Sequence, residues 1–318
     1  MTTDDGFFAD LENTKPYLKA AFEGFPGTGK TYTAAMVAIG LYKLIGSTKP
    51  VVIFDTEKAA KFLLPFFAEK GIPVKQKESR SLADLKETMK RCRDGFSDIL
   101  LIDSSTHVWE NFVEAYRRNK NKTRLSFEDW GVIKPQWRQE FSDPFVRDPY
   151  HTIMTGRVGY EYDDEKDESG KRQIVKSGIK MKMEGDTAYE PDLLVMMDRT
   201  ENLLGEKKEI YREATIVKDR STIIDGKTFR NPSFKDFLPA LERMMSNPVT
   251  RPAPIERDAA ELFNELAQEF VRRFQVANTK EEIDAVSRDV TARREELGSG
   301  RDRVAAARGD ALARLKAA

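Results

Sequence analysis

Short apolar runs alternate with longer amphipathic stretches between Tyr17 and about Asp219. The runs have the length of β-strands, whereas the stretches between the early runs repeat their apolar positions with the period of a helix. The predicted strands are residues 17–24, 50–55, 98–103, 150–156, 192–198 and 213–219. Strand alternating with helix is typical of a parallel sheet covered by helices on both faces. The pattern therefore predicts an α/β fold with a mainly parallel sheet between helices.

After Gly156 the pattern changes to short alternating stretches. Residues 159–183 alternate around the turn-like sequence DESGK, which predicts a β-hairpin or a mobile insertion. A second hairpin is predicted to turn at Asp225 and Gly226, and a short helix follows it. These elements complete a first domain, which we place at residues 1–245.

The last part of the chain has the pattern of a separate helical module. Three prolines within residues 246–254 predict a linker. Residues 255–318 have helical periodicity, and Thr279 begins a capping-box sequence that predicts the start of a helix. We expect this C-terminal module to dock on the first domain, to mediate oligomerisation, or to bind a protein partner.

Composition narrows the classes of function. The sequence contains 53 Lys and Arg against 53 Asp and Glu, so no overall basic field attracts nucleic acid or an anionic membrane. Cys92 is the lone cysteine in the sequence, which excludes an internal disulfide and a multi-cysteine zinc site. No apolar run approaches the roughly 20 residues of a membrane span, and the acidic start is unlike a signal peptide. We therefore expect a cytoplasmic protein without a membrane partner.

A glycine-rich motif lies between the first predicted strand and the first predicted helix. Residues 24–31 fit G-x-x-x-x-G-K-[ST] in full. Glycines allow backbone N–H groups to turn around phosphate oxygens, and the following helix directs its positive N-terminus at them. Lys30 is expected to reach the β- and γ-phosphates and the Thr31 hydroxyl to bind Mg²⁺. The expected nucleotide contacts in this segment are Gly24, Phe25, Pro26, Gly27, Thr28, Gly29, Lys30, Thr31 and Tyr32.

Two acidic residues end apolar strands and are candidates for the chemistry of this site. Asp103 ends the strand DILLID, where a carboxylate can hold Mg²⁺ together with Thr31. The next residue is Ser104 rather than glutamate, so a catalytic base must come from elsewhere. Glu57, after the strand PVVIFD, can orient and activate a water molecule. The alternative for Glu57 is an acidic residue that merely favours a helix N-terminus.

The order of these motifs resembles the core of RecA/RadA-type ATPases. The segments that carry the resemblance are GFPGTGKT, VVIFDTE, ILLIDSST and a fourth strand that ends in a polar residue, and the similarity covers residues 17–240. The resemblance implies ATP and Mg²⁺ as ligands, Glu57 as the catalytic glutamate and Asp103 as the acidic metal ligand. The chain is also similar to compact RecA-like proteins of tailed phages that are linked to single-strand annealing. A phage origin would place the protein in the cytoplasm of the bacterial host.

The resemblance further implies an oligomer with ATP at the interface between subunits. The sequence VKDR resembles the lysine-and-arginine motif of the final core strand, which implies that Lys218 and Arg220 reach the γ-phosphate in a neighbouring subunit. The alternative is that both residues form a solvated strand end.

Two features depart from the RecA pattern. RecA contacts the γ-phosphate with a glutamine at the end of its fourth strand, where this chain has Thr155 and Arg157. Arg157 is either a sensor that contacts the nucleotide of its own subunit, because a guanidinium suits phosphate oxygens, or a surface arginine. No aromatic residue stands out where RecA stacks the adenine, so the preference for ATP is implied by the family alone.

Contacts with single-stranded DNA are expected from local features only. The basic run at residues 117–124 can contact phosphates or can simply be a solvated helix face. The segment 157–183 follows the fourth strand and combines aromatic with basic residues, although its DDEKDE stretch repels phosphate. Its candidates are Tyr160, Tyr162, Lys171, Arg172, Lys176, Lys180 and Lys182. Trp130 and Trp137 are expected to pack, and His107 and His151 to be structural.

The sequence as a whole predicts a RecA-like P-loop ATPase that acts in phage recombination or single-strand annealing. Its expected partners are further copies of itself, single-stranded DNA and a single-stranded-DNA-binding protein. Two alternatives stay open. One is a nucleotide-dependent assembly switch that recruits protein partners, and the other is a P-loop motor or loader in replication or packaging.

Overall fold

The computed structural model describes residues 17–166, 172–204, 207–246 and 259–317. The chain divides into two compact units, Met1–Thr250 and Arg251–Ala318, and each is described by itself. The predicted turn DESGK and nearly all of the predicted Pro-rich linker, residues 246–254, lie outside the described residues. None of the described helices has the length and apolar composition needed to span a membrane.

The first unit is built on a mixed, mostly parallel sheet, which confirms the predicted α/β class. Within the described residues the sheet has nine strands: β1 Lys19–Gly24, β2 Val51–Asp55, β3 Val74–Glu78, β4 Ile99–Asp103, β5 His151–Lys166, β6 Arg172–Met181, β7 Leu193–Leu204, β8 Lys207–Asp219 and β9 Thr228–Arg230. Their order is β3-β2-β4-β5-β1-β7-β8-β9, and β6 pairs with β5 as a hairpin. The six neighbouring strands β3, β2, β4, β5, β1 and β7 run parallel to one another, whereas β8 runs antiparallel to β7.

All six predicted strands are present, and the first predicted hairpin forms the antiparallel pair β5–β6. The second differs in its connection: Asp225 and Gly226 do form a turn, but β9 pairs with Glu213–Thr215 of β8, so the connection is longer than a two-residue turn. Strand β3 is the one that the hydrophobic pattern missed. Its sequence VKQKE is polar and largely exposed because it lies at the sheet edge, where one of its sides has no neighbouring strand. A strand in that position does not need the apolar run by which buried strands are recognised.

Helices cover both faces of the sheet. They are α1 Lys30–Leu44, α2 Leu64–Glu69, α3 Leu82–Arg93, α4 Ser105–Asn119, α5 Phe127–Trp137, α6 Asp143–Arg147 and α7 Phe234–Met245. The predicted cap of α3 is confirmed, since the Ser81 hydroxyl accepts a hydrogen bond from the Asp84 N–H. The helix predicted after β2 is shorter than its pattern, because a 3₁₀ turn at Ala60–Phe62 precedes α2.

The core lies on the two faces of the central strand β1. Phe22 packs on one face with residues of α1 and α7, and Ala21 packs on the other with Phe54, Trp137 and Phe141. Successive side chains of a strand point to opposite faces, so β1 is buried on both. The loop after β1 is therefore attached to a strand that is buried along its whole length.

The second unit consists of helices, as predicted for the end of the chain. It contains α8 Ala259–Val276, α9 Lys280–Ala292 and α10 Arg301–Ala317. The predicted capping box is confirmed, because the Thr279 hydroxyl accepts a hydrogen bond from the Glu282 N–H. Phe270, Phe274 and Ile283 pack in a small core of its own.

A buried acid in β1 gives the first unit a pH-dependent stability. Glu23 is 5% exposed, and burial raises its pKa from 4.5 to about 7. Since the folded pKa lies above the unfolded one, ionisation destabilises the fold progressively as the pH rises through the range between the two values. At about 1.4 kcal/mol for each pH unit between them, the cost above neutral pH is on the order of 3 kcal/mol.

Glu23→Gln is accordingly expected to raise the free energy of unfolding by up to roughly 3 kcal/mol at pH 8 and to change it little at pH 4.5. Urea unfolding followed by tryptophan fluorescence measures this, because Trp109, Trp130 and Trp137 all belong to the first unit. A variant whose stability follows the same pH profile as the wild type would show that Glu23 is not the titrating group.

Candidate nucleotide site

The glycine-rich motif forms a tight loop between β1 and α1. Gly24, Gly27 and Gly29 have φ angles of 155°, 76° and 93°, which side chains rarely tolerate. At Gly24 a Cβ atom would lie 2.3 Å from the carbonyl oxygen of Met197. The loop is closed internally, because Lys30 Nζ and Thr28 Oγ1 donate to the Phe25 carbonyl at 2.8 and 2.9 Å. This is a strand, loop and helix arrangement of the kind that the motif requires.

Asp103 lies directly beside the end of this loop. The Thr31 hydroxyl is 3.0 Å from both carboxylate oxygens of Asp103, and the hydroxyl of Thr155 in β5 donates to the same carboxylate. Asp103 is 4% exposed, and burial raises the pKa of its carboxyl group. The Ser104 hydroxyl is also buried here and has no hydrogen-bond partner among the described residues.

These oxygen donors suit Mg²⁺. Magnesium prefers oxygen ligands, binds to one or two carboxylates and keeps several waters or phosphate oxygens. Among the described residues, no group of three or more His, Cys, Asp or Glu side chains is placed to hold a metal ion. Thr31 and Asp103 therefore fit a magnesium ion that is shared with a phosphate ligand, rather than an ion enclosed by the protein alone.

Glu57 and Arg157 meet at the same edge of the sheet. Arg157 Nη2 donates to Glu57 Oε1 at 3.0 Å, although the two residues are 100 positions apart. The Arg157 backbone N–H donates to the Thr106 hydroxyl at 2.9 Å, which fixes the start of the β5–β6 hairpin against α4. The Arg157 side chain is about half-exposed and lines the cavity described below, and its contact with a nucleotide stays a prediction.

His107 is a neighbour of Glu57 that the sequence interpretation treated as structural. Its Nδ1 atom lies 2.8 Å from the Thr56 hydroxyl and 3.6 Å from Glu57 Oε1. Burial, followed by the positive charge of Arg157, lowers the pKa of His107. A neutral imidazole beside Glu57 leaves that carboxylate one cationic partner, Arg157, in this cluster.

One cavity of about 600 Å³ joins these groups. Of the predicted residues, it is lined by Pro26, Gly27, Gly29, Lys30, Thr31, Tyr32, Glu57, Asp103 and Arg157. Gly24, Phe25 and Thr28 shape the loop without lining the cavity, and the Phe25 ring contacts Tyr160 of the β5–β6 hairpin. This cavity therefore brings together the glycine-rich loop, Glu57, Asp103 and Arg157.

The cavity also has an aromatic wall that the sequence interpretation missed. Tyr32 and Phe66 make an edge-to-face contact with ring centroids 5.3 Å apart, and Phe62, which lines the cavity beside them, is 71% exposed. These phenylalanines belonged to a predicted amphipathic helix, where apolar residues signal packing. The short 3₁₀ turn and α2 leave Phe62 at the surface instead.

Arg212 of β8 is a second residue that the sequence did not single out. A Cβ atom on Gly29 would lie 3.5 Å from Cγ and Cδ of Arg212, so the aliphatic part of this side chain packs across the loop. Nothing in the local sequence around Arg212 signals this contact, because it depends on how β8 returns beside β7.

Lys218 and Arg220 do not lie at this cavity. Lys218 lies near the end of β8 and Arg220 directly follows it. Because β8 runs antiparallel to β7, this end of β8 lies beside the start of β7, where Lys218 pairs with Leu194. The two residues are therefore at the end of the sheet opposite to the glycine-rich loop. Lys218 Nζ donates to the Tyr189 carbonyl at 2.5 Å, and Arg220 forms an ion pair with Asp192 at 2.9 Å. Within this chain neither residue reaches the glycine-rich loop.

The predicted DNA-contacting residues divide into several groups. In the basic run, Glu114 pairs with Arg117 and Arg118, and Asp129 pairs with Lys122, which neutralises much of its charge. Trp137 is fully buried, which confirms its packing role, and Trp130 contacts Trp109. Tyr160 is half-exposed, and Lys182 lies beside Gly159 at the base of the hairpin. Lys171 lies outside the described residues, as do the side chains of Tyr162, Arg172 and Lys176.

No protein-family model and no curated protein matches this chain.

Proposed function

We propose that this protein is a RecA-like P-loop ATPase that acts on single-stranded DNA in phage recombination or single-strand annealing. The observation that carries the proposal is the convergence of Thr31, Asp103, Glu57 and Arg157 on one cavity beside the phosphate loop. Each group comes from a different element, and together they provide the parts that phosphoryl transfer to water needs.

The loop and Lys30 are suited to hold a triphosphate. The N-terminus of α1 and the loop amides offer donors to phosphate oxygens. Burial lowers the pKa of Lys30, which shows that its ammonium group lacks full compensation in its surroundings. A phosphate near Lys30 would restore that compensation, at the cost of the present hydrogen bond to the Phe25 carbonyl.

Thr31 and Asp103 are the groups that would hold Mg²⁺. When bound, Mg²⁺ neutralises charge that develops on the phosphate oxygens. The Asp103 carboxylate is held in place by two threonine hydroxyls, from α1 and from β5. These hydrogen bonds fix its direction before any ligand arrives, so little reorganisation is needed.

Glu57 is the residue best placed to orient the attacking water. It lies on the cavity wall, and its backbone is fixed because its N–H donates to the Asp55 carboxylate at 2.9 Å. Arg157 holds one oxygen of the Glu57 carboxylate, which leaves the other to accept a proton from water. The alternative of a mere helix N-terminal acid is disfavoured, since α2 begins seven residues later at Leu64.

The positions of Lys218 and Arg220 define the kind of oligomer that the proposal requires. The phosphate loop and these two residues lie at opposite edges of the sheet. Lys218 and Arg220 can approach a phosphate loop only in another subunit. The end of the sheet that carries the loop in one subunit must then face the end that carries Lys218 and Arg220 in the next. Such a head-to-tail contact is heterologous and generates a ring or a filament.

The β5–β6 hairpin supports the proposed coupling to DNA. Its first strand continues directly from Arg157, and Tyr160 touches Phe25 of the phosphate loop. A strand of DNA that contacts this hairpin would therefore lie within a few residues of the groups around Glu57. Exposed aromatic and basic side chains are typical of such a surface.

The test is steady-state ATP hydrolysis with and without single-stranded DNA, at several protein concentrations. Wild type is compared with Lys30→Ala and with Lys43→Ala, a matched loss of an exposed lysine on the same helix. We expect turnover that DNA stimulates, that rises per subunit with protein concentration and that Lys30→Ala abolishes, while Lys43→Ala behaves as wild type.

Each part of the proposal has its own contradicting outcome. Turnover that is independent of protein concentration would remove the interface role of Lys218 and Arg220. Turnover indifferent to DNA would favour the partner-recruiting switch over a recombination ATPase. ATP binding without any turnover would also favour that switch, and the absence of ATP binding would overturn the nucleotide site itself.

A further inference from the structure

Arg212 is held rigidly beside the phosphate loop. Its backbone N–H donates to Asn231 Oδ1 at 3.0 Å, and the Asn231 N–H donates to the Arg212 carbonyl at 2.6 Å. This pair extends the β8–β9 ladder by one residue past Glu213 and Arg230. The Cγ and Cδ atoms then pass over Gly29, where an added Cβ atom would lie 3.5 Å from them. Because its backbone and aliphatic chain are already placed, Arg212 loses less conformational entropy on binding a ligand than a free surface arginine does.

Arg212 has a like charge directly across the β7–β8 ladder. In the β7–β8 ladder Arg212 stands directly opposite Arg199, and like charges in that position are destabilising. Arg199 is two residues from Met197 along β7, and Arg212 is two residues from Ala214 along β8. Since every second residue of a strand lies on the same face, both arginines lie on the face of the sheet that packs against α1. Arg199 has Glu201 as an ion-pair partner at 2.9 Å, whereas none of the ion pairs found among the described residues includes Arg212.

The strand order shows which end of a bound nucleotide Arg212 would meet. Asp103 ends β4, Glu57 follows β2 and Arg157 lies in β5, and these three strands all lie on one side of β1. Strand β8, with Arg212, lies on the other side of β1, beyond β7. Because the γ-phosphate must face Glu57, a guanidinium on the far side of the loop is placed for the opposite end of the triphosphate.

We infer that Arg212 binds the α-phosphate of the nucleotide, and so serves as a binding residue for nucleoside di- and triphosphates alike. This inference rests on the proposed ATPase function. A single anionic group there relieves the repulsion from Arg199 and gives Arg212 a counter-charge that none of the ion pairs among the described residues provides. The charge-assisted hydrogen bond is formed by both ATP and ADP, since each carries an α-phosphate.

The experiment is calorimetric titration of the full chain with Mg-ATP and with Mg-ADP. Arg212→Met keeps the aliphatic packing over Gly29 and removes the charge, Arg212→Lys keeps a charge without the fork, and Arg230→Ala is the control on the neighbouring strand. We expect Arg212→Met to weaken ATP and ADP equally, by about 10- to 100-fold. Arg212→Lys should lose less, and Arg230→Ala should bind as wild type.

The outcomes separate this inference from the proposed function. If wild type and Arg230→Ala bind no nucleotide, the proposed function fails. If wild type binds and Arg212→Met binds equally well, the role of Arg212 alone is overturned. A loss for ATP without a loss for ADP would also overturn it, because it would place Arg212 at the γ-phosphate. Should Arg212→Met not fold, Arg212→Lys decides by the same comparison of ATP with ADP.

Discussion

Glu57→Gln is expected to lower ATP turnover by about 10²- to 10⁴-fold, the usual contribution of a positioned general base. Glutamine keeps the shape of the side chain and one oxygen that can accept the hydrogen bond from Arg157. It removes the negative charge and with it the ability to accept a proton from water. Nucleotide binding should persist, since the loop, Lys30, Thr31 and Asp103 are untouched.

Single-turnover hydrolysis and equilibrium binding of ATP distinguish the two effects. Glu69→Gln is the matched control, because Glu69 is an exposed glutamate at the end of α2. Unchanged turnover in Glu57→Gln would place the base elsewhere. A loss of ATP binding equal to the loss of turnover would show that Glu57 supports the site structurally rather than chemically.

The sequence reveals the glycine-rich loop and the place of Asp103 because local chemistry dictates both. Gly24 is required by its backbone angle and by the approach of the Met197 carbonyl, so no other residue serves there. Asp103 ends a strand that is buried along its whole length, and the run of apolar residues before Asp103 predicts such a strand. In each case a few consecutive residues carry the information, and the fold then brings Thr31 to within 3.0 Å of Asp103.

The cluster around Glu57 depends instead on the order of strands. Glu57 and Arg157 can be recognised separately, but their contact exists because β2 and β5 both flank β4. His107 comes to the same place because α4 begins directly after β4. A hydrophobic pattern predicts that strands exist, whereas it does not give their neighbours, so it cannot predict which side chains meet.

The contact of Arg212 with Gly29 is even harder to predict from the residues around either position. It requires that β7 and β8 form a hairpin in one register and that Asn231 hold β8 in place at Arg212. A shift of one residue would turn Arg212 to the other face of the sheet. The positions of Lys218 and Arg220 follow from the same reversal, which takes the end of β8 away from the loop.

Arg157→Ala is expected to reduce turnover by about 10³-fold, at the lower end of the effect of an arginine that stabilises a transferring phosphoryl group. In the structure its guanidinium is engaged with Glu57, and that ion pair is accessible to solvent. A γ-phosphate beside Lys30 offers the guanidinium a more highly charged, bidentate partner. We therefore expect Arg157 to contact ATP, and Glu57 to be freed on one side for water.

This role predicts an asymmetry between nucleotides. Arg157→Ala should weaken ATP binding and leave ADP binding unchanged, because ADP has no γ-phosphate. Arg157→Lys should restore only part of the turnover, since a lysine lacks the planar, forked guanidinium group. Titrations with both nucleotides and single-turnover hydrolysis measure these effects. Arg138→Ala is the control, as it removes an arginine from an exposed ion pair with Asp186, a change of little consequence. Equal losses for ATP and ADP would contradict a γ-phosphate contact and would leave Arg157 as a residue that merely holds Glu57 in place.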